Sequence, residues 1–261
     1  MANIAFDISS ALYVEGAQNN IKADEHGVYR NFPIMVLGKV SRNNKEYEIN
    51  SMVEAITSPT SIFFKKLKMG QLQGEYGHPL VLTEKDLPRI AVVDPTKVSH
   101  VIHNVKCGEP NEKGHRIVYA DIEPFGPYGQ YLKESLENPR INTAFSLRSL
   151  VAKIGTSGNV IKQRVTALIT VDAVDAPGYA EASKVRVPSM EGVSIDIENP
   201  EDHLEELALA CGCESIDDQQ LLDALQVNKV EIRHHINGIV DVHGRVISTE
   251  DGKKSIFHEM F

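Results

Sequence analysis

Tryptophan is absent from the 261-residue chain, and all aromatic residues together make up only 6% of it. A nucleic-acid binder that stacks bases on an aromatic platform needs more than that. Cysteine is scarce. Cys107, Cys211 and Cys213 form an odd, sparse set, which fits free thiols in a reducing compartment rather than a disulfide framework. No apolar run approaches the roughly 18 residues that span a membrane. The stretch from Met1 to Asp7 has no basic region ahead of an apolar one, so neither a secretory signal nor a membrane is expected. Surplus positive charge is missing as well. The formal net charge is −9, which leaves no excess of bases to displace counterions from phosphates and argues against nucleic acid as a partner. There is no Walker loop, dinucleotide fingerprint or internal repeat, and no cofactor is expected.

The sequence has the balance of a globular protein, with 42% hydrophobic and 24% charged residues. Its acidity is unevenly placed. Residues 192–261 hold 15 Asp/Glu against 5 Lys/Arg, a net −10, whereas residues 1–191 are almost neutral at +1. Such asymmetry points to two parts with different tasks. We divide the chain into a main domain over 1–187, a linker over 188–198 and an acidic, partly helical C-terminal segment over 199–261.

Along the main domain, 28–32 and 34–37 read as short strands divided by Pro33. Ile49, Met52, Val53 and Ile56 have helical spacing, and Pro59 should divide that helical stretch. A Gly-rich loop runs from Gly70 to Pro79. Residues 98–105 and 116–122 alternate as hairpin strands. A short helix is expected over 129–136, and strands over 141–148 and 164–171. Asn199-Pro200-Glu201-Asp202 signals a helix start, with Leu204, Leu207, Ala208 and Cys211 as its apolar face and Gly212 as its stop. A second helix is expected from Ser215 to Leu225, then β-like material near Asn237-Gly238.

Several residues could carry chemistry. His78, between Gly77 and Pro79, is held in an unusual turn. Ser146 lies in an otherwise apolar strand, where a nucleophile would need a base. Arg148 projects on the same side two residues on and could stabilise an oxyanion. Asp172 closes a strand and could orient an imidazole, although Asp175 competes for that role. Other readings are thinner. Glu75 and His78 would serve zinc only on a helix, which the glycines oppose. Cys211 and Cys213 with His234, His235 and His243 lack the usual zinc spacing. A Ser146/Lys153 dyad has no further support. No metal site is expected.

The order of these elements carries more than any one of them. Gly70-Gln-Leu-Gln-Gly74-Glu75-Tyr-Gly77-His78-Pro79 resembles the G-x-L-x-G-E-x-G-H-P loop of tailed-bacteriophage prohead proteases. Val98-Ser99-His100-Val101-Ile102 is similar to the V-S-H-x-I strand of that family, and Phe145-Ser146-Leu147-Arg148-Ser149-Leu150 to its S-S-R-G-L nucleophile strand. Ile169 to Pro177 resembles its closing strand. The likeness spans roughly residues 45–185. It departs where Leu147 replaces the second Ser and Ser149 the Gly. The resemblance implies an α+β fold like herpesvirus assemblin, a mainly antiparallel β-barrel surrounded by helices. It implies a serine endopeptidase with His78 as general base, Ser146 as nucleophile, Asp172 as orienting acid and Arg148 in an oxyanion or supporting role. The substrates implied are scaffold or core proteins and the major capsid protein, inside the assembling prohead in the host bacterial cytoplasm, with self-association of the enzyme. A non-catalytic scaffold of the same fold is the alternative.

The resemblance also implies cleavage after Glu before a small residue. Ser189-Met190-Glu191-Gly192 fits, and it lies in the expected linker, where proteolysis is easiest. A cut between Glu191 and Gly192 would separate 70 residues carrying the net negative charge. Ser248-Thr249-Glu250-Asp251 fits less well, and Leu132-Lys133-Glu134-Ser135 lies inside the core. A pocket for Glu needs cationic walls, for which Lys65, Lys66 and Lys68 are candidates by nearness to the His78 loop.

Overall fold

A computed structural model describes residues 4–10, 22–41, 44–79, 87–138, 141, 143–174, 194–197 and 200–212. Asp175, Glu191, Gly192, Cys213 and everything beyond it, including the second expected helix and the three C-terminal histidines, lie outside the described residues. In chain order the elements are β1 (Ile4–Ser10), β2 (Tyr29–Leu37), β3 (Lys45–Tyr47), α1 (Ile49–Thr57), α2 (Ile62–Lys68), β4 (Gln73–Glu75) and α3 (Leu87–Ala91). They continue with β5 (Val98–Cys107), β6 (Arg116–Pro124), α4 (Gly129–Glu137), β7 (Ala144–Ser157), β8 (Val160–Val174), β9 (Ser194–Ile197) and α5 (Leu204–Cys211).

The described strands form two sheets, in the order β3-β8-β7-β1-β9 and β2-β6-β5-β4. Every pairing is antiparallel except β3 with β8. This corrects the closed barrel that the resemblance implies. β8 takes β3 against its first residues, Ile161 to Gln163. At its other end it takes the chain just after β4, through one parallel bridge between Tyr76 and Ala173. That bridge joins the sheets at a seam instead of closing a ring of paired strands.

Local chemistry explains several elements. α1 and α2 fall on either side of Pro59, and Ser61 caps α2 by accepting a hydrogen bond from the Phe64 N–H. The buried apolar residues of α1, Met52, Ala55 and Ile56, make up one stripe at helical spacing. α5 ends at Gly212 in the left-handed conformation, φ +69°. Its first turn differs from expectation: Pro200–His203 is a 3-10 turn and the α-helix begins at Leu204.

The core lies between the sheets and helices. Tyr29, Ile34, Leu37, Phe63, Leu72, Ile102, Phe145, Leu147 and Val171 are all buried in one cluster. The first nine residues of β7 are buried, while its tip from Gly155 is exposed. Ser146 and Arg148 therefore sit at the enclosed end of the long hairpin. No helix among the described residues is long and apolar enough to cross a membrane.

Candidate active site

The Gly-rich loop is built to bring His78 against β8. Gly74 admits no side chain. A Cβ there would stand 2.1 Å from the Val171 carbonyl oxygen and 2.4 Å from His100 Cε1, so glycine is what lets β4 reach β8. Gly77 holds φ +78°, and its N–H donates to the Ala173 carbonyl at 2.7 Å. Thr170 Oγ1 donates to the Gln73 carbonyl at 2.5 Å. These contacts set the loop on the end of β8, and the reversal at Gly77 delivers His78.

The β7–β8 ladder supplies the rest. Ser146 lies opposite Asp172, and Arg148 opposite Thr170. Directly opposed residues of an antiparallel pair project to the same face. Ser146, Arg148, Thr170 and Asp172 therefore share the face over which β4 lies.

Asp172 is the hub. It is fully buried. Its Oδ1 accepts from the Glu75 N–H at 3.0 Å and from Arg148 Nη2 at 2.7 Å. Its Oδ2 accepts from Arg148 Nε at 2.9 Å and lies 2.9 Å from His78 Nδ1. Burial alone would push the carboxyl pKa up. The Arg148 charge and the His78 contact outweigh burial and hold it well below the ordinary carboxylate range. An ionised Asp172 fixes the His78 tautomer with the proton on Nδ1, which leaves Nε2 as the free basic nitrogen. The His78 side chain is 21% exposed, so this nitrogen belongs to a group that solvent and ligand can reach.

Arg148 has no exposed surface. Its Nη1 donates to the Val92 carbonyl at 2.8 Å and to the Ile90 carbonyl at 3.3 Å, and its Nη2 also pairs with Glu75 Oε1 at 3.0 Å. With the two bonds to Asp172, all five guanidinium N–H groups point inward. Burial would lower its pKa, but Asp172 and Glu75 raise it, so the cation is secure.

Glu75 continues the chain of charges. Its carboxylate pairs with Arg148, with Arg89 through both oxygens, and with the Asp94 N–H at 2.8 Å. It is held between two guanidinium groups, which does not fit a shared zinc ligand set with His78. Among the described residues no group of three or more His, Cys, Asp or Glu is placed to hold a metal.

The structure joins His78 and Arg148 to Asp172 by hydrogen bonds, and the β7–β8 ladder sets Ser146 opposite Asp172. Lys153 lies seven residues beyond Ser146 on the same strand, outside this group. Lys66 on α2 is partly buried, and burial, then the nearby Arg148 charge, lowers its pKa. Lys65 and Lys68 are exposed, and the Lys68 ammonium sits over the Phe64 ring at 5.2 Å.

Three residues around the site escape sequence reasoning. Glu75 stands out in the sequence as a member of the Gly-rich motif and as a metal candidate, with no sign of its guanidinium partners, and Arg89 does not stand out at all. His100, which lies within the V-S-H strand, is completely buried. Its Nε2 lies 3.1 Å from the Val171 carbonyl and its Nδ1 2.8 Å from Ser99 Oγ. Burial drives its pKa down to about 4 against the pull of Asp172 and Val171. It serves as a neutral brace between β5 and β8. A histidine inside an alternating apolar strand is the signal that could have found it.

Comparison with known proteins agrees with the phage prohead-protease resemblance. Residues 8–251 match the model of the Peptidase S80 family. Over 179 residues the chain is 28% identical to the capsid maturation protease of Pseudomonas phage phiKZ, a match covering 64% of each protein. The chain thus spans just under two thirds of that relative. Among solved structures, the bacteriophage T4 capsid assembly protease aligns with a TM-score of 0.46 and 16% identity, covering 67% of this chain and 99% of that one. By the family match, which takes in nearly the whole sequence, this chain belongs to the Peptidase S80 family.

Proposed function

We propose that the protein is a serine endopeptidase of phage capsid maturation, acting through Ser146, His78 and Asp172. The observation that carries this is the Asp172 hub. It holds His78 Nδ1 at 2.9 Å and lies opposite Ser146 in the β7–β8 ladder. His78 Nε2 takes the Ser146 proton as Oγ attacks the peptide carbonyl. The tetrahedral adduct expels the amine, which His78 protonates. Water, deprotonated by the same imidazole, then hydrolyses the ester, releasing the new carboxyl terminus and restoring Ser146. Asp172 orients the imidazole and stabilises its cation. We assign Arg148 a supporting role through Asp172, because its five N–H groups are all engaged away from any substrate oxyanion.

On this reading the substrates are scaffold and capsid proteins inside the assembling phage head, cleaved after Glu. The chain also cuts itself between Glu191 and Gly192. Lys66 is the candidate cation for the substrate carboxylate, because of the three it is the partly buried one on α2, ahead of the Gly-rich loop that carries His78. A fluorophosphonate probe tests the nucleophile. It should label the protein once, at Ser146, with loss of labelling in both Ser146→Ala and His78→Ala. Labelling elsewhere, or none in the wild type, defeats the assignment. A scaffold of the same fold would not be labelled.

A further inference from the structure

The acidic C-terminal part begins inside the folded body. β9 pairs with β1, from Ile4 opposite Ile197 to Asp7 opposite Ser194, and β1 pairs in turn with β7 along its whole length, ending with Ser10 opposite Ser146. α5 buries Leu204, Leu207, Ala208, Ala210 and Cys211 and packs against α3, β7 and β8. At its end Gly212 lies on Ile62 of α2, where a Cβ would approach Ile62 Cδ1 to 2.5 Å. This is the packing of a core element.

What α5 covers matters to the site. α3 and the residues after it supply the Ile90 and Val92 carbonyls that hold Arg148 Nη1. The same turn carries Arg89, which clamps Glu75 and donates to the Val92 carbonyl at 3.1 Å. α5 therefore backs α3, α3 holds Arg148, and Arg148 holds Asp172 against His78. The chain of contacts runs unbroken from an apolar helix face to the imidazole.

We propose that β9 and α5 form a positioning element of the proteolytic site, which stays docked on the body after the chain is cut at Glu191. The self-cutting rests on the function proposed above, but the docking does not. A cut there would break the covalent link between the body and residues 192–261 without removing α5 from its seat, and the acidic stretch beyond Gly212 would stay tethered to the body through α5. The new amino terminus at Gly192 would stand two residues before β9.

The test uses the full chain with Ser146→Ala, in which Ser189–Gly192 is replaced by the recognition sequence of an unrelated site-specific protease. After complete cutting, the two pieces should co-elute on size exclusion at the position of the uncut 28.9 kDa chain. Separation into two species overturns the docking. The positioning role is read in chains retaining Ser146. Leu207→Glu should lower kcat on a Ser-Met-Glu-Gly peptide about tenfold or more, with KM little changed, because a misplaced base slows the chemical step and leaves substrate binding intact. Leu207→Met should restore kcat. The low-field proton resonance of His78 Nδ1–H should broaden or shift in Leu207→Glu and not in Leu207→Met. A folded Leu207→Glu chain with unchanged kcat and unchanged resonance overturns the positioning role. If the wild type cuts no peptide, the peptidase reading fails, while co-elution and the His78 resonance still decide this proposal.

Discussion

Asp172 and Asp121 both lie on sheet strands, and each gathers a guanidinium and a backbone N–H. Asp121 takes Arg30 Nη1 at 2.8 Å, Asn104 Nδ2 at 2.8 Å and the Asn31 N–H at 2.9 Å. Asn31 and Asn104 have left-handed backbones, φ +51° and +49°. Each sits in a break in strand register, between Tyr29 and Phe32 and between His103 and Lys106. Asp121 thus pins two bulges of one sheet. Both carboxylates titrate low: burial raises each, and their hydrogen bonds and cations more than reverse it. The partners make the difference. The Arg30 side chain is 45% exposed and the Arg148 side chain 0%, and Asp172 alone of the two touches a histidine that solvent can reach. A low-titrating, ion-paired aspartate is therefore no mark of an active site. What sets Asp172 apart, and supports the proposed site, is a buried cation on both of its oxygens together with a reachable imidazole on Oδ2.

That contrast can be broken by mutation. The largest expected effect is Ser146→Ala, which should reduce kcat/KM by at least about 10⁴-fold in a peptide assay, leaving the circular dichroism spectrum unchanged. Asp172→Asn should cost about 10⁴-fold in kcat. It should also destabilise by about 3–5 kcal/mol in chemical denaturation, because Arg148 loses one of its two buried anions and keeps only Glu75. Asp121→Asn should cost about 1–2 kcal/mol of stability and leave kcat within about twofold. Equal activity losses in the two asparagine variants would erase the distinction between the hubs.

Acid stability separates them further. The folded pKa of His100 is about 4 against an ordinary 6.5, so the unfolded chain binds its proton first. Stability is full above about pH 6.5 and falls as pH drops toward about 4. His100→Gln should flatten that slope in thermal melts across this window. Asp172 acts lower: its folded pKa is depressed, so its contribution is present above its ordinary 3.8 and is lost as pH falls below it. A subtler effect is expected at Lys66. Lys66→Met should raise KM for a Glu-containing peptide roughly tenfold, the scale of one charge-assisted hydrogen bond, while a Gln-containing analogue is affected less.

Contiguous signals are readable in the sequence. The reversal before His78 shows in its glycines, the split between α1 and α2 at Pro59, and the α5 stop at Gly212. What escapes depends on distance in the chain. Glu75 and Arg148 are 73 positions apart, and nothing local says that one carboxylate meets two guanidinium groups. Three-residue β4 and five-residue α3 are too short to show a period. The opposition of Ser146 and Asp172 depends on a hairpin register that shifts three times between its ends. The seam through Tyr76 and Ala173 has no sequence signature, so two joined sheets stand where the resemblance implies a barrel.

The most direct test of the central claim is the intact mass of purified wild-type protein beside Ser146→Ala, followed over time. The account predicts that the wild type shortens by the 70 residues after Glu191 while the Ser146→Ala chain keeps its full mass. Shortening of both chains alike, or a wild type that stays intact alongside the variant, would contradict it.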